Sequence, residues 1–196
     1  MADLLHCAAR VCVLAILSAA FPLALSATPP NTSDQDDDAR IVADFEARVK
    51  QYAALHQKLE STLGPFPAAS TPELIDRHQR ALERLIVRER AGGKEGDIFT
   101  DDIRAYFRRQ LSRVFRGPDG ESIRDAIMDE NPRTIRLRIN ARYPDTLPRS
   151  TVPTQVLLVL PRLPEELEYR FVGERLTLLD VHSDTIVDFM DRAIPR

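Results

Sequence analysis

Helical periodicity dominates the first half of the chain. Apolar positions recur there every three or four residues, which keeps one face of a helix buried. Thr71-Pro72-Glu73 supplies an N-cap residue, a first-turn proline and an acid for one helix, and Thr100-Asp101-Asp102 is a similar start signal for the next. The predicted helices cover residues 41–63, 72–91, 97–116 and 121–130.

The period changes from 3.6 to 2 after residue 134, which indicates strands. Residues 135–142 alternate between apolar and polar, and Val156–Leu160 is a continuous apolar run bounded by prolines. The predicted strands cover residues 135–142, 156–160, 167–171 and 176–182, with 186–190 as a fifth. Helices followed by short strands predict an α+β fold, in which about four N-terminal helices pack on a C-terminal antiparallel meander of four to five strands.

The N-terminal segment has the pattern of an export signal. Val11–Leu25 is uncharged and largely apolar, with Arg10 before it and Ala24-Leu25-Ser26 after it. This predicts a secretory signal peptide over residues 1–27; the alternative is an uncleaved membrane anchor. The predicted organisation continues with a disordered acidic leader over 28–39 and a single α+β domain over 40–196, helical from 40 to 131 and β-rich from 134 to 190.

The charge and the cysteine content of the chain limit which cellular compartment and which classes of partner we expect. The 24 arginines and 3 lysines are offset by 30 acidic residues. The resulting net charge of -3 gives no indication of a nucleic-acid partner. Cys7 and Cys12 both lie in the predicted signal, so the mature chain would carry no thiol. Disulfides and cysteine nucleophiles are then excluded, and we expect a secreted or periplasmic protein.

Three histidines follow the predicted signal, and two of them are candidate metal ligands. His56 and His78 lie on the apolar stripes of the first two helices, and an antiparallel hairpin of those helices would bring them level. Glu60 lies one turn after His56, so His56, Glu60 and His78 could bind zinc or another divalent ion. The alternative is that both histidines are partly buried and bonded to backbone or to a carboxylate. We expect no other cofactor.

A second cluster, Asp180-Val181-His182-Ser183-Asp184, closes one predicted strand. Asp180 and His182 point to the same side of a strand, so Asp180 could orient His182 as a general base. Ser183 or an activated water would then be the nucleophile. The alternative is a turn sequence without catalysis, because Asp and Ser favour turns through local hydrogen bonds.

The third predicted helix has a basic face that is a candidate interaction surface. This face would suit an acidic partner or a peripheral contact with an anionic membrane. Alternatively, its arginines are solvated or paired with nearby acids. The basic residues are Arg104, Arg108, Arg109, Arg113 and Arg116.

The C-terminal third, from Leu163-Pro164-Glu165 through Leu179-Asp180-Val181-His182 to Ile186-Val187-Asp188, resembles the ending of uncharacterised secreted bacterial proteins. The resemblance implies an exported bacterial protein and transfers no activity or site. The chain also lacks a glycine-rich phosphate loop, a G-x-S-x-G elbow and an H-E-x-x-H motif. We therefore expect a non-enzymatic cell-envelope binding or interaction module whose partner the sequence does not identify. The alternative is a hydrolase that uses Asp180 and His182, with or without a metal.

Overall fold

A computed structural model describes residues 32–64, 71–130 and 135–195 of the chain. Five helices precede a three-stranded sheet in these residues, and the described residues from Thr32 onward belong to one compact unit. The helices are α1 (Thr32–Ser61), α2 (Pro72–Glu89), α3 (Asp101–Phe115), α4 (Gly120–Glu130) and α5 (Thr154–Leu157). The strands are β1 (Leu167–Val172), β2 (Arg175–Asp180) and β3 (Thr185–Met190).

The three strands form an antiparallel meander in the order β1-β2-β3. One face of the sheet packs on the helices in a core that includes Phe45, Phe107 and Leu178. The other face is covered by the irregular segment 135–147, through a second cluster that includes Tyr143 and Ile186. Because both faces are covered, every residue of β3 is buried. The α+β class is therefore confirmed, but the sheet has three strands instead of four or five.

Two predicted strands are absent from the sheet. Residues 135–142 run beside the start of β3, where Asn140 N donates to Ile186 O at 2.8 Å, but Arg142 forms only an isolated bridge with Thr185. Asn140 has a positive φ of 62°, which interrupts an extended ladder. The alternating apolar residues of this segment still face inward, because they cover the second face of the sheet.

The prediction of a strand over the apolar run 156–160 is also wrong. Residues 154–157 form the single-turn helix α5, in which Val156 is fully buried while Leu157 is 45% exposed and the following Leu158 is 79% exposed. A short apolar run does not distinguish a helix from a strand by periodicity, and here only one of its faces meets the core.

The first helix begins earlier than its apolar pattern predicts. Residues 32–39 belong to the predicted disordered leader but form the first turns of α1. Acidic residues there suit the positive end of the helix dipole, and Asp38 pairs with Arg109 of α3. The rest of the leader and the predicted signal peptide lie outside the described residues. Within the part of the chain that the structure describes, no helix combines the length and apolar character needed to cross a membrane.

Candidate functional site

The sequence-predicted histidine and aspartate clusters meet at one end of the sheet. Tyr52, His56 and Glu60 are spaced four residues apart on α1 and therefore share one face of the helix. Asp180 is the last residue of β2, and His182 lies in the turn that leads to β3. Residues more than 120 positions apart in sequence thus form a single polar cluster, with the α1 side chains on one side and the hairpin side chains on the other.

Asp180 lies at the buried end of the cluster and fixes the orientation of His56. Both side chains have no exposed surface, and His56 Nδ1 lies 2.6 Å from Asp180 Oδ2. Tyr52 OH donates to the same oxygen at 2.7 Å, while the backbone N–H groups of His182 and Ser183 donate to Oδ1 at 3.1 and 2.9 Å. A carboxylate oxygen this close to His56 Nδ1 requires a proton on that nitrogen, which leaves Nε2 as the outward-facing ring atom.

Two side chains, those of Glu60 and His182, converge on the outer side of His56. His56 Nε2 lies 3.2 Å from His182 Nδ1 and 3.3 Å from Glu60 Oε2. His182 Nδ1 is in turn 3.4 Å from Glu60 Oε1. One ligand atom from each of these three residues can be chosen so that all lie within 4.8 Å of one another, which makes the group a candidate metal centre.

The charges in the cluster shift the pKa values of its members. Burial disfavours the charged form of His56, but the hydrogen bond and charge of Asp180 outweigh it and raise the pKa above 6.5. Burial likewise opposes ionisation of Asp180 and Glu60, yet the neighbouring histidines lower the pKa of both carboxyls. Burial, together with the charge of Asp180, raises the pKa of Tyr52 well above 10. The phenol therefore stays protonated as a donor.

The structure corrects two of the residue groupings expected from sequence. His78 is not among the three converging residues; its Nε2 lies 3.4 Å from Glu60 Oε1, and His182 occupies the place expected for it. The side chain of Asp180 contacts the ring of His56, and meets His182 only through a backbone N–H. The turn conformation explains this difference, because residues 181–184 leave the strand and the alternation of strand side chains no longer applies.

Ser183, the nucleophile considered from sequence, is fully buried. Its Oγ makes no hydrogen bond within the described ranges, so it is neither activated by a base nor accessible to a substrate. Tyr52 is the site residue that the sequence analysis missed. Its spacing of four from His56 was the available signal, but its place in the apolar stripe made it look like a core residue.

The basic residues of α3 do not form one uninterrupted face. Arg104 and Arg108 point to the β3 side, where they donate to the backbone carbonyls of Phe189 and Asp191 at 3.2 Å each. Arg109 instead pairs with Asp38 of α1. The remaining two are exposed: Arg113 donates to Gln110, and Arg116 caps the helix. Membrane or partner contact through these residues stays a prediction.

Comparison with known proteins identifies no relative of this chain. The chain matches no protein-family model, no curated protein and no solved structure. The chemistry of the site therefore has to be argued from its geometry.

Proposed function

We propose that the protein binds a divalent transition-metal ion of the zinc class through His56 Nε2, His182 Nδ1 and one oxygen of Glu60. The observation that carries the proposal is the spacing of these three atoms. In a tetrahedral zinc site with bonds of about 2.0–2.1 Å, neighbouring ligand atoms lie about 3.3–3.4 Å apart. The two nitrogens are 3.2 Å apart, and each has one Glu60 oxygen at that spacing, Oε2 at 3.3 Å from His56 Nε2 and Oε1 at 3.4 Å from His182 Nδ1. A single ligand atom from each residue can be chosen so that all three lie within 4.8 Å of one another.

The groups behind the three ligands support the same proposal. A metal-bound histidine usually donates its other ring N–H to a carboxylate, which fixes the tautomer and makes the ligand nitrogen more basic. Asp180 does this for His56, and Tyr52 holds Asp180 in turn. His78 Nε2 lies 3.4 Å from Glu60 Oε1, the oxygen that also faces His182, and so helps to hold the carboxylate in place.

The donor set selects a class of ion. Two imidazoles and one carboxylate suit Zn²⁺, Co²⁺ or Ni²⁺, whereas Mg²⁺ and Ca²⁺ prefer oxygen ligands alone. Both cysteines precede residue 28, so a chain from which the predicted signal peptide has been cleaved would offer no thiolate ligand. The binding module that the sequence predicts would, on this proposal, have a metal ion as its ligand.

Metal titration of the full-length chain tests the proposal. We expect the chelator-stripped protein to bind one equivalent of Zn²⁺ by calorimetry. His182→Ala should abolish stoichiometric binding, whereas His78→Ala should retain one equivalent with weaker affinity. The control for Glu60→Gln is Glu121→Gln. Glu121 is an exposed residue of α4, and this variant should bind Zn²⁺ like the wild type. Less than a tenth of an equivalent bound to the folded wild-type protein would overturn the proposal.

A further inference from the structure

We propose that the metal centre hydrolyses esters, with a metal-bound water as the nucleophile; this inference rests on the proposed metal binding. Three protein ligands leave a fourth position of a tetrahedral ion for water or substrate, which is the arrangement of catalytic zinc sites. Structural sites are instead closed by four protein ligands. Among the residues that the structure describes, three converge in this cluster, which corresponds to the open kind.

The three proposed ligands differ in exposure, which gives the site an inner and an outer side. His56 has no exposed surface and forms the inner wall of the site, whereas Glu60 and His182 are 34% and 40% exposed. An ion between them would be covered by His56 and Asp180 on its inner side and accessible on the outer side.

The reaction follows from these positions. The metal-bound water loses a proton to bulk solvent, because binding to a zinc-class ion lowers its pKa to about 7. The hydroxide oxygen forms a bond to the carbonyl carbon of the ester, and the metal stabilises the negative charge on the carbonyl oxygen. The carbonyl double bond then re-forms as the bond between the acyl carbon and the alcohol oxygen breaks, and the leaving group departs with the electron pair of that bond and takes a proton from bulk solvent. One water is consumed for each acid and alcohol formed.

The side chains around the metal determine which esters the centre would hydrolyse. Glu60 and His182 serve as ligands, and His78 Nε2 contacts the second oxygen of Glu60. None of these groups is placed to give a proton to a poor leaving group. The preferred substrates are therefore esters of acidic alcohols, such as aryl esters, which leave without protonation, and not peptides.

Hydrolysis of p-nitrophenyl acetate by the full-length chain tests the inference. We expect the rate to rise with added Zn²⁺ up to one equivalent and then level off, at about tenfold or more above the same concentration of free Zn²⁺. The metal-free chain is measured in parallel, because imidazole side chains attack this ester without a metal. Glu121→Gln should match the wild type, and His182→Ala should not respond to Zn²⁺.

Two outcomes would overturn the inference, and they differ in what they mean for metal binding. If one equivalent of Zn²⁺ binds and the rate stays at that of the metal-free chain plus free Zn²⁺, hydrolysis is wrong and the metal-binding proposal stands. If calorimetry shows no Zn²⁺ binding to the folded chain, both proposals fail together.

Discussion

His56 is a fully buried histidine with polar groups at both ring nitrogens, and this arrangement couples its protonation to stability. One nitrogen contacts the Asp180 carboxylate and the other faces His182 and Glu60. In the metal-free protein the Asp180 contact becomes an ion pair when His56 is protonated. Breaking such a buried pair by removing one charge typically costs about 3–5 kcal/mol, because the remaining charge is left without a partner.

The stability of the metal-free protein should therefore depend on pH through this pair. The pKa of His56 is raised above 6.5 in the folded protein. The stabilisation that His56 contributes is therefore complete below pH 6.5 and is lost as the pH rises through its pKa in the folded state. The pKa of Asp180 is lowered below 3.8, so its contribution is present above 3.8 and is lost as the pH falls through the folded-state value. We expect Asp180→Asn to destabilise the protein more at about pH 5.5 than at about pH 8.5.

Urea unfolding in the presence of a chelator measures this difference at both pH values. Asp129→Asn, an exposed residue of α4, is the matched control and should change the free energy of unfolding little at either pH. A destabilisation by Asp180→Asn that stays constant or grows toward alkaline pH would contradict the assignment of a raised pKa to His56.

At the scale of secondary structure, the elements differ in how strongly local sequence specifies them. The start of α2 is confirmed: Thr71 is its N-cap and accepts a hydrogen bond from Leu74 N, as its sequence pattern predicts. Thr100 likewise precedes α3. The segment 135–142 shows the limit of this approach. Its alternation correctly indicates apolar residues facing inward, but pairing depends on whether a neighbouring strand is available, and local sequence does not contain that information.

The same limit explains which site residues could be predicted. His56 and Glu60 share a helix face, so their proximity follows from spacing alone. His182 joins them only because the β2–β3 turn places it beside α1, a contact across 126 positions. Spacing within one element therefore predicted the pair of His56 and Glu60, and the relation between distant elements determined which residues meet it.

The start of α4 provides a test of local packing that is independent of the site. Gly120 is the first residue of this helix, and an added Cβ there would overlap the backbone carbonyl of Phe115. The backbone has to shift to accept any side chain, so we expect Gly120→Ala to destabilise the protein by about 1–3 kcal/mol. Gly92→Ala is the matched control, because a Cβ at that position meets no atom within 4 Å.

Urea midpoints of the two glycine variants measure the difference. Gly92→Ala should lie within about 0.5 kcal/mol of the wild type, as is usual for an exposed position without special contacts. Equal shifts in the two variants would mean that the turn before α4 adapts without cost.

At the scale of the whole molecule, the candidate metal centre links the first helix to the last hairpin. Asp180 and His182 meet the α1 side chains directly, and Gln57 of α1 donates to the buried Glu166 just before β1 at 2.6 Å. The turn that carries His182 is held from its other side by Arg142 and Arg149, which pair with the buried Asp184 at 3.3 and 2.7 Å. The candidate ligands are therefore positioned by tertiary structure, and an unfolded chain would not keep them together.

Metal binding should consequently raise the stability of the entire fold. An ion that binds only the native state stabilises it by about 2.7 kcal/mol at a free concentration of 100 times its Kd. For a chain of this size, that corresponds to an increase in Tm of about 5–10 °C. We expect Zn²⁺ to produce this shift in a thermal melt of the full-length protein, and Mg²⁺ at the same concentration to produce none, because the donors include two imidazoles.

The His182→Ala variant separates binding at this centre from binding elsewhere on the surface. His182 is 40% exposed, so we expect its replacement to leave the metal-free melting temperature nearly unchanged while removing the response to Zn²⁺. Glu121→Gln should respond like the wild type. A Zn²⁺ shift that persists in His182→Ala would show that His182 is not a ligand of the stabilising ion, and its loss in the double variant His78→Ala/His182→Ala would assign that ion to His56, Glu60 and His78.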